Sequence, residues 1–147
     1  MARLIVVASL PRAKGVFVAT LSEKQAQLFL DKNFGAAATI RDDGTPHVTP
    51  VWVDYDGEHV LFNTAAPRAK WKHLKRDPRV TVEVHSEANP YAYVTVTGTA
   101  ELDEDEEEAN RHIDKLSEKY TGRKFQNHKP GERRVIVRIT PARVYPK

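Results

Sequence analysis

Val80, Val82 and Val84 alternate with Thr81, Glu83 and His85, and this period of two predicts a half-buried β-strand. The same period runs through Val135, Val137 and Ile139 within residues 134–145. β-Branched residues from Val94 to Thr97 predict another strand over 92–102. Residues 36–41 read as a strand ending at Asp43-Gly44, where glycine's tolerance of positive φ predicts a hairpin turn. The return strand, 46–54, carries Pro50. Proline removes a ladder donor, so Pro50 should interrupt that strand at an edge or a bulge. Asp56-Gly57 marks a second turn, and 58–63 a further strand. Two segments have helical spacing instead. Ser22 with Gln25 is a capping-box pattern that opens a helix through Ala26, Leu28, Phe29 and Leu30, ending near Asn33. The second, about 104–120, places Ile113 and Leu116 on one stripe. Six strands with mostly hairpin links and a few helices predict an antiparallel barrel, mainly β with flanking helices. No repeat or low-complexity linker divides 21–147, which reads as one domain behind an arm at 1–20 punctuated by Pro11 and Gly15.

Composition narrows the partners. Hydrophobic residues at 40% and charged residues at 29% describe a globular chain rather than a disordered one. Cysteine is absent, which excludes disulfides, thiolate metal sites and cysteine nucleophiles. No apolar run approaches the roughly 20 residues of a membrane span. The apolar stretch at 4–8 is short and soon followed by Arg12 and Lys14, so no signal peptide and a cytoplasmic location are expected. The formal charge of +3 hides an asymmetry, because Glu101 to Glu108 holds seven acids and no base. The rest of the chain carries 23 bases against 13 acids and favours an anionic partner. Those acids, placed at a helix start, complement its dipole and face solvent. The six histidines show no metal-pair spacing, and no metal site is expected.

Chemistry concentrates in FNTAAPRAKWKHLKRDPR, residues 62–79. A strand ends at Phe62-Asn63, Asn63 or Thr64 can cap the helix after it, and Pro67 suits the first turn of that helix. Arg68 and Lys70 then stand at the helix start, where free N–H groups and the dipole favour phosphate. Arg68 adds a planar fork and Lys70 a point charge. A solvated basic helix accounts for the same charges, and both readings stand on the residues alone.

The ordered combination of TPHVTPVWV, the FNT–PRAK–LKRDPRV block and VTGTAEL, with RRVIVRITPARV later, resembles the pyridoxamine-phosphate-oxidase-like family of flavin and deazaflavin oxidoreductases. The resemblance spans about 21–144 and leaves 1–20 outside. It implies a six-stranded split β-barrel of the FMN-binding type, a homodimer with cofactor sites at the interface, and a small-molecule substrate. It also assigns residues. Arg68 and Lys70 match the pair on the cofactor phosphate, Phe62, Asn63 and Thr64 the strand end beneath the ribityl chain. His47, Thr49, Pro50 and Val51 match the strand along the ring system. Tyr91 matches an aromatic position reaching the site from the partner subunit. Trp52 and Trp71 read as packing residues, with Trp52 able to border the substrate pocket.

In such proteins the cofactor performs the redox step and the protein supplies orientation and electrostatics. The catalytic group is left open, with solvent, Tyr91 and His47 as alternative proton donors. Lys72, Lys75, Arg76 and Arg79 extend the basic surface, which favours the deazaflavin coenzyme F-420 with its polyglutamate tail; FMN is the alternative. Two other classes compete. A nucleic-acid-binding module lacks a recognition motif or stacking platform here, and the acidic run opposes it. A non-catalytic flavin or deazaflavin carrier would bind the cofactor without turnover.

Overall fold

A computed structural model describes residues 18–147, so the arm read at 1–20 lies outside the described residues except for its last three. The capping box forms as read: the Ser22 hydroxyl accepts from the Gln25 N–H, and the Gln25 side chain accepts from the Ser22 N–H. It opens α1, Glu23–Leu30. That helix stops short of Asn33 because Asp31 is already extended. Asn33 serves as a tie instead, donating to the Leu28 carbonyl and accepting from the Glu87 N–H.

Six antiparallel strands come after it: β1 (Phe34–Ile40), β2 (Pro46–Tyr55), β3 (Val60–Ala66), β4 (Arg79–His85), β5 (Tyr93–Asp103) and β6 (Arg133–Tyr145). They close into a barrel in the order β1-β2-β3-β6-β5-β4, the architecture that the alternating pattern predicts. Helix α2 (Ala69–Arg76) links β3 to β4, and α3 (Glu106–Thr121) links β5 to β6. Val80, Val82, Val84, Val94 and Val96 fill the interior with Phe62, and Phe29 and Leu74 join them from α1 and α2. Helix α3 sets Ala109 against Leu61 and Ile136. β3 and the first half of β6 are thus covered on both faces. The acidic run ends at the start of α3, where the Asp105 carboxylate caps the Glu108 N–H and Glu106 to Glu108 form the first turn.

One irregularity positions the site. β2 pairs with β1 from Pro46 to Trp52, yet meets β3 only at Val53, Asp54 and Tyr55. β3 runs on beside β6 as far as Ala66, so β2 and β3 splay apart and leave a gap. Pro50 lies on the open flank of β2. The strand runs unbroken through Pro50 beside β1, and the expected edge is found on the β3 side, where no ladder runs.

Beneath the point where the strands part, the Tyr120 hydroxyl accepts from the Val53 N–H at 3.1 Å and donates to the Asn33 carbonyl at 2.5 Å. The Lys119 ammonium donates to the carbonyls of Phe29 and Val53, each at 2.7 Å. Burial lowers Lys119 from 10.5 to about 8. Its folded-state pKa is below that of the unfolded chain, so between these values the unfolded state binds more protons and stability rises with pH. The urea midpoint should therefore rise between pH 8 and pH 10 in wild type, and a Lys119→Met variant should lose that part of the rise.

Candidate functional site

The gap between β2 and β3 is a cleft of about 310 Å³, within the range of small-molecule sites. Pro50, Val51 and Trp52 form one wall, and Asn63 and Thr64 the other. Ile113 and Leu116 of α3 also line it, with Phe34 and Phe125. The Trp52 indole is held in place by stacking on Tyr120 at 5.3 Å and by an edge contact with Phe125 at 6.3 Å. This part of the cleft suits a flat, largely apolar ring.

The other part is cationic. Arg68, Lys70 and Arg134 all line it. Arg68 makes a two-pronged ion pair with Glu132, both contacts at 2.8 Å. Lys70 and Arg134 bond only to neutral groups among the described residues. The Lys70 ammonium donates to the Thr49 hydroxyl at 2.9 Å, and Arg134 Nε donates to Asn63 Oδ1 at 2.7 Å. Burial, reinforced by repulsion from Arg68 and Arg134, lowers the Lys70 pKa. Arg134 is 6% exposed, and burial followed by repulsion from Arg68 lowers it to about 10, against the pull of Glu132. Three cations with one carboxylate among them, two of the three desolvated, form a site for an anion.

The predicted residues divide accordingly. Pro50, Val51, Asn63, Thr64, Arg68 and Lys70 come together at the cleft, and Thr49 holds Lys70 from beside it. Phe62 does not reach it, because its ring is fully buried in the barrel core. His47 turns towards Arg41 at 3.2 Å and packs edge-on against His73. Tyr91 is 89% exposed, in the β4–β5 connection. The capping role read for Asn63 or Thr64 is corrected. β3 continues to Ala66, so Pro67 precedes the helix and Arg68 is the N-cap, with no side chain among the described residues capping the first turn. The first-turn N–H groups of α2 are thus free of side-chain caps beside Lys70.

The basic surface beyond the cleft is also less bare than its sequence. Lys75 pairs with Glu104, Arg76 with Asp42, and Arg79 with Asp77. Arg134 was missed by the sequence reading. It opens an alternating strand as one of two adjacent arginines, and only its burial and its hydrogen bond to Asn63 distinguish it from Arg133. Phe34 and Phe125 likewise came without a signal.

The pyridoxamine 5'-phosphate oxidase family model matches residues 9–147. The chain belongs to this family. Among solved structures, an F-420 reductase is 30% identical and superposes with a TM-score of 0.72, over 84% of this chain and 98% of that one. A conserved hypothetical protein of Mycobacterium tuberculosis is 31% identical at a TM-score of 0.67, over 91% of this chain and 88% of that one. General stress protein 26 of Bacillus anthracis, at 21% identity and a TM-score of 0.63, covers 84% of this chain and 90% of itself, and shares the fold. Membership of the pyridoxamine 5'-phosphate oxidase family makes the split barrel a flavin-binding oxidoreductase scaffold. Among the described residues no helix is long and apolar enough to cross a membrane.

Proposed function

We propose that the chain is an oxidoreductase whose cleft takes a phosphorylated flavin-type cofactor, with F-420 as the preferred form and FMN as the second. The observation that carries this reading is the pair of desolvated cations, Lys70 and Arg134, left without a carboxylate at the end of an aromatic-lined slot. A phosphate dianion supplies the missing charge, and the uncapped first turn of α2 adds N–H donors. Trp52, Pro50 and Val51 exclude water from one face of a flat ring. The cofactor, when bound, supplies the hydride chemistry; the chain binds and orients. The resemblance to an F-420 reductase at 30% identity supports F-420. The ion pairs of Lys75, Arg76 and Arg79 weaken the argument from basic surface, and FMN needs only the phosphate end.

We further propose a homodimer in the cytoplasm, with Tyr91 reaching the cleft of the second copy. The exposure of Phe34 and Val48, 52% and 60%, supports an unfinished surface beside the cleft. Sedimentation of the purified protein tests the dimer directly.

Fluorescence titration with both cofactors tests the main reading. Wild type is expected to bind one of them at about micromolar or tighter. Arg68→Ala should weaken it by roughly 1 kcal/mol, the scale of an ordinary hydrogen bond, because two of the guanidinium's donors are held by Glu132. No binding of either cofactor would sink the proposal.

A further inference from the structure

Arg134 is held by a chain of groups that runs away from the cleft. Its Nε–H donates to Asn63 Oδ1 at 2.7 Å. Asn63 Nδ2 donates to the Ala109 carbonyl at 3.0 Å and meets His112 Nδ1 at 3.2 Å. His112 Nε2 lies 3.5 Å from Asp54 Oδ2 and has no closer polar partner among the described residues. Asp54 and His112 are both buried, at 4% and 9% exposure. At the far end the Lys115 ammonium contacts the same Asp54 oxygen at 2.9 Å.

Every proton in this chain is forced. Arg134 Nε only donates and the Ala109 carbonyl only accepts, so the Asn63 amide has one permitted orientation. Its second N–H then faces His112 Nδ1, which must present a lone pair. The imidazole proton is thereby placed on Nε2, facing the Asp54 carboxylate. Burial alone would raise the Asp54 carboxyl, but the nearby His112 imidazole and the hydrogen bonds from Lys115 and the Tyr55 N–H outweigh it and hold Asp54 ionised. The opposite histidine tautomer would set two donors against each other at Nδ1 and release Asn63 to turn its amide towards Arg134 donor-first.

We propose that Asp54 and His112 are positioning residues, which fix the Asn63 amide and through it aim Arg134 at the anion in the cleft. They touch no ligand themselves. The functional side of this inference rests on reading the cleft as an anion site, while the positioning can be measured without any ligand.

The test uses ¹⁵N-labelled apo protein, three single variants and one double variant. In wild type, imidazole nitrogen shifts should show His112 unprotonated at Nδ1 and protonated at Nε2, with the Arg134 Nε–H protected from solvent exchange. His112→Leu removes the acceptor for Asn63 and should speed that exchange by at least about tenfold, the loss expected when a hydrogen bond to a charged group is released. His112→Asn places an amide oxygen near the Nδ1 position and should keep exchange within about twofold of wild type. Asp54→Asn should disturb the histidine tautomer in the wild-type background and have no effect on Arg134 in the His112→Asn background. FMN and F-420 affinities of the same proteins should keep the same order. Unchanged Arg134 exchange in His112→Leu would overturn the proposal, as would a His112→Asn protein as perturbed as His112→Leu. Affinities that ignore a shifted Arg134 would overturn its link to the cleft. A wild type that binds neither cofactor would count against the reading of the cleft, and the apo exchange rates would still decide the positioning.

Discussion

Lys70→Met should weaken binding of the phosphorylated cofactor by roughly 1.5–3 kcal/mol, the loss expected for a charge-assisted hydrogen bond, and leave the unliganded fold no less stable. Both halves have one origin. Lys70 is a half-buried cation whose only hydrogen-bond partner among the described residues is the Thr49 hydroxyl. Its charge is disfavoured by burial and by Arg68 and Arg134, so the folded chain carries it at a cost that a bound anion offsets. Methionine fills a similar volume without the charge. Thr49, partly exposed, can turn its hydroxyl to water. A cofactor titration paired with urea unfolding of the apo protein checks both halves. A variant that binds as well as wild type removes Lys70 from the site; a clearly less stable one shows the ammonium to be structural. The effect should exceed that of Arg68→Ala, because Glu132 already balances Arg68.

Gly98→Ala should cost about 3 kcal/mol or more, near the upper range for overpacking, and lower the melting temperature by roughly 6–12 °C for a domain of this size. Gly98 sits in β5 at the register shift between Thr97 and Gly98, where that strand crosses β6. A Cβ there would stand 2.1 Å from the Thr140 carbonyl oxygen and 3.0 Å from the Ile139 side chain. The obstruction is backbone, so no rotamer change relieves it, and separating the strands would break the most extensive pairing in the barrel. Calorimetry of the variant gives the answer; a melting temperature within about two degrees of wild type would mean that the bulge yields far more easily than core packing normally allows.

The barrel was legible because local signals agreed with it. The valine alternation of β4, the Ser22–Gln25 box and the Asp43-Gly44 turn each specify an element from neighbouring residues alone. Gly44 does adopt positive φ, at 84°. The site was legible where a motif is continuous, as at Arg68 and Lys70. It was hidden where function depends on distant pairing. Lys75 and Arg76 read as free charge because Glu104 and Asp42 lie 29 and 34 residues away. Arg134 reads as an ordinary strand residue because its burial arises from register with β3 and from the β6 approach, beside Phe125 at 5.1 Å. Pro50 marked the edge of β2 from sequence, but not which side of the strand lacks a partner.

The parting of β2 from β3 has a consequence for how this scaffold can change. Along the gap the main chain of 49–52 does not pair with that of 63–66, and any ring seated there meets peptide groups as well as side chains. Phe34, half exposed at the cleft, is then free to vary and to reshape the mouth. The shape of the mouth and the main-chain lining of the gap are thereby separable traits.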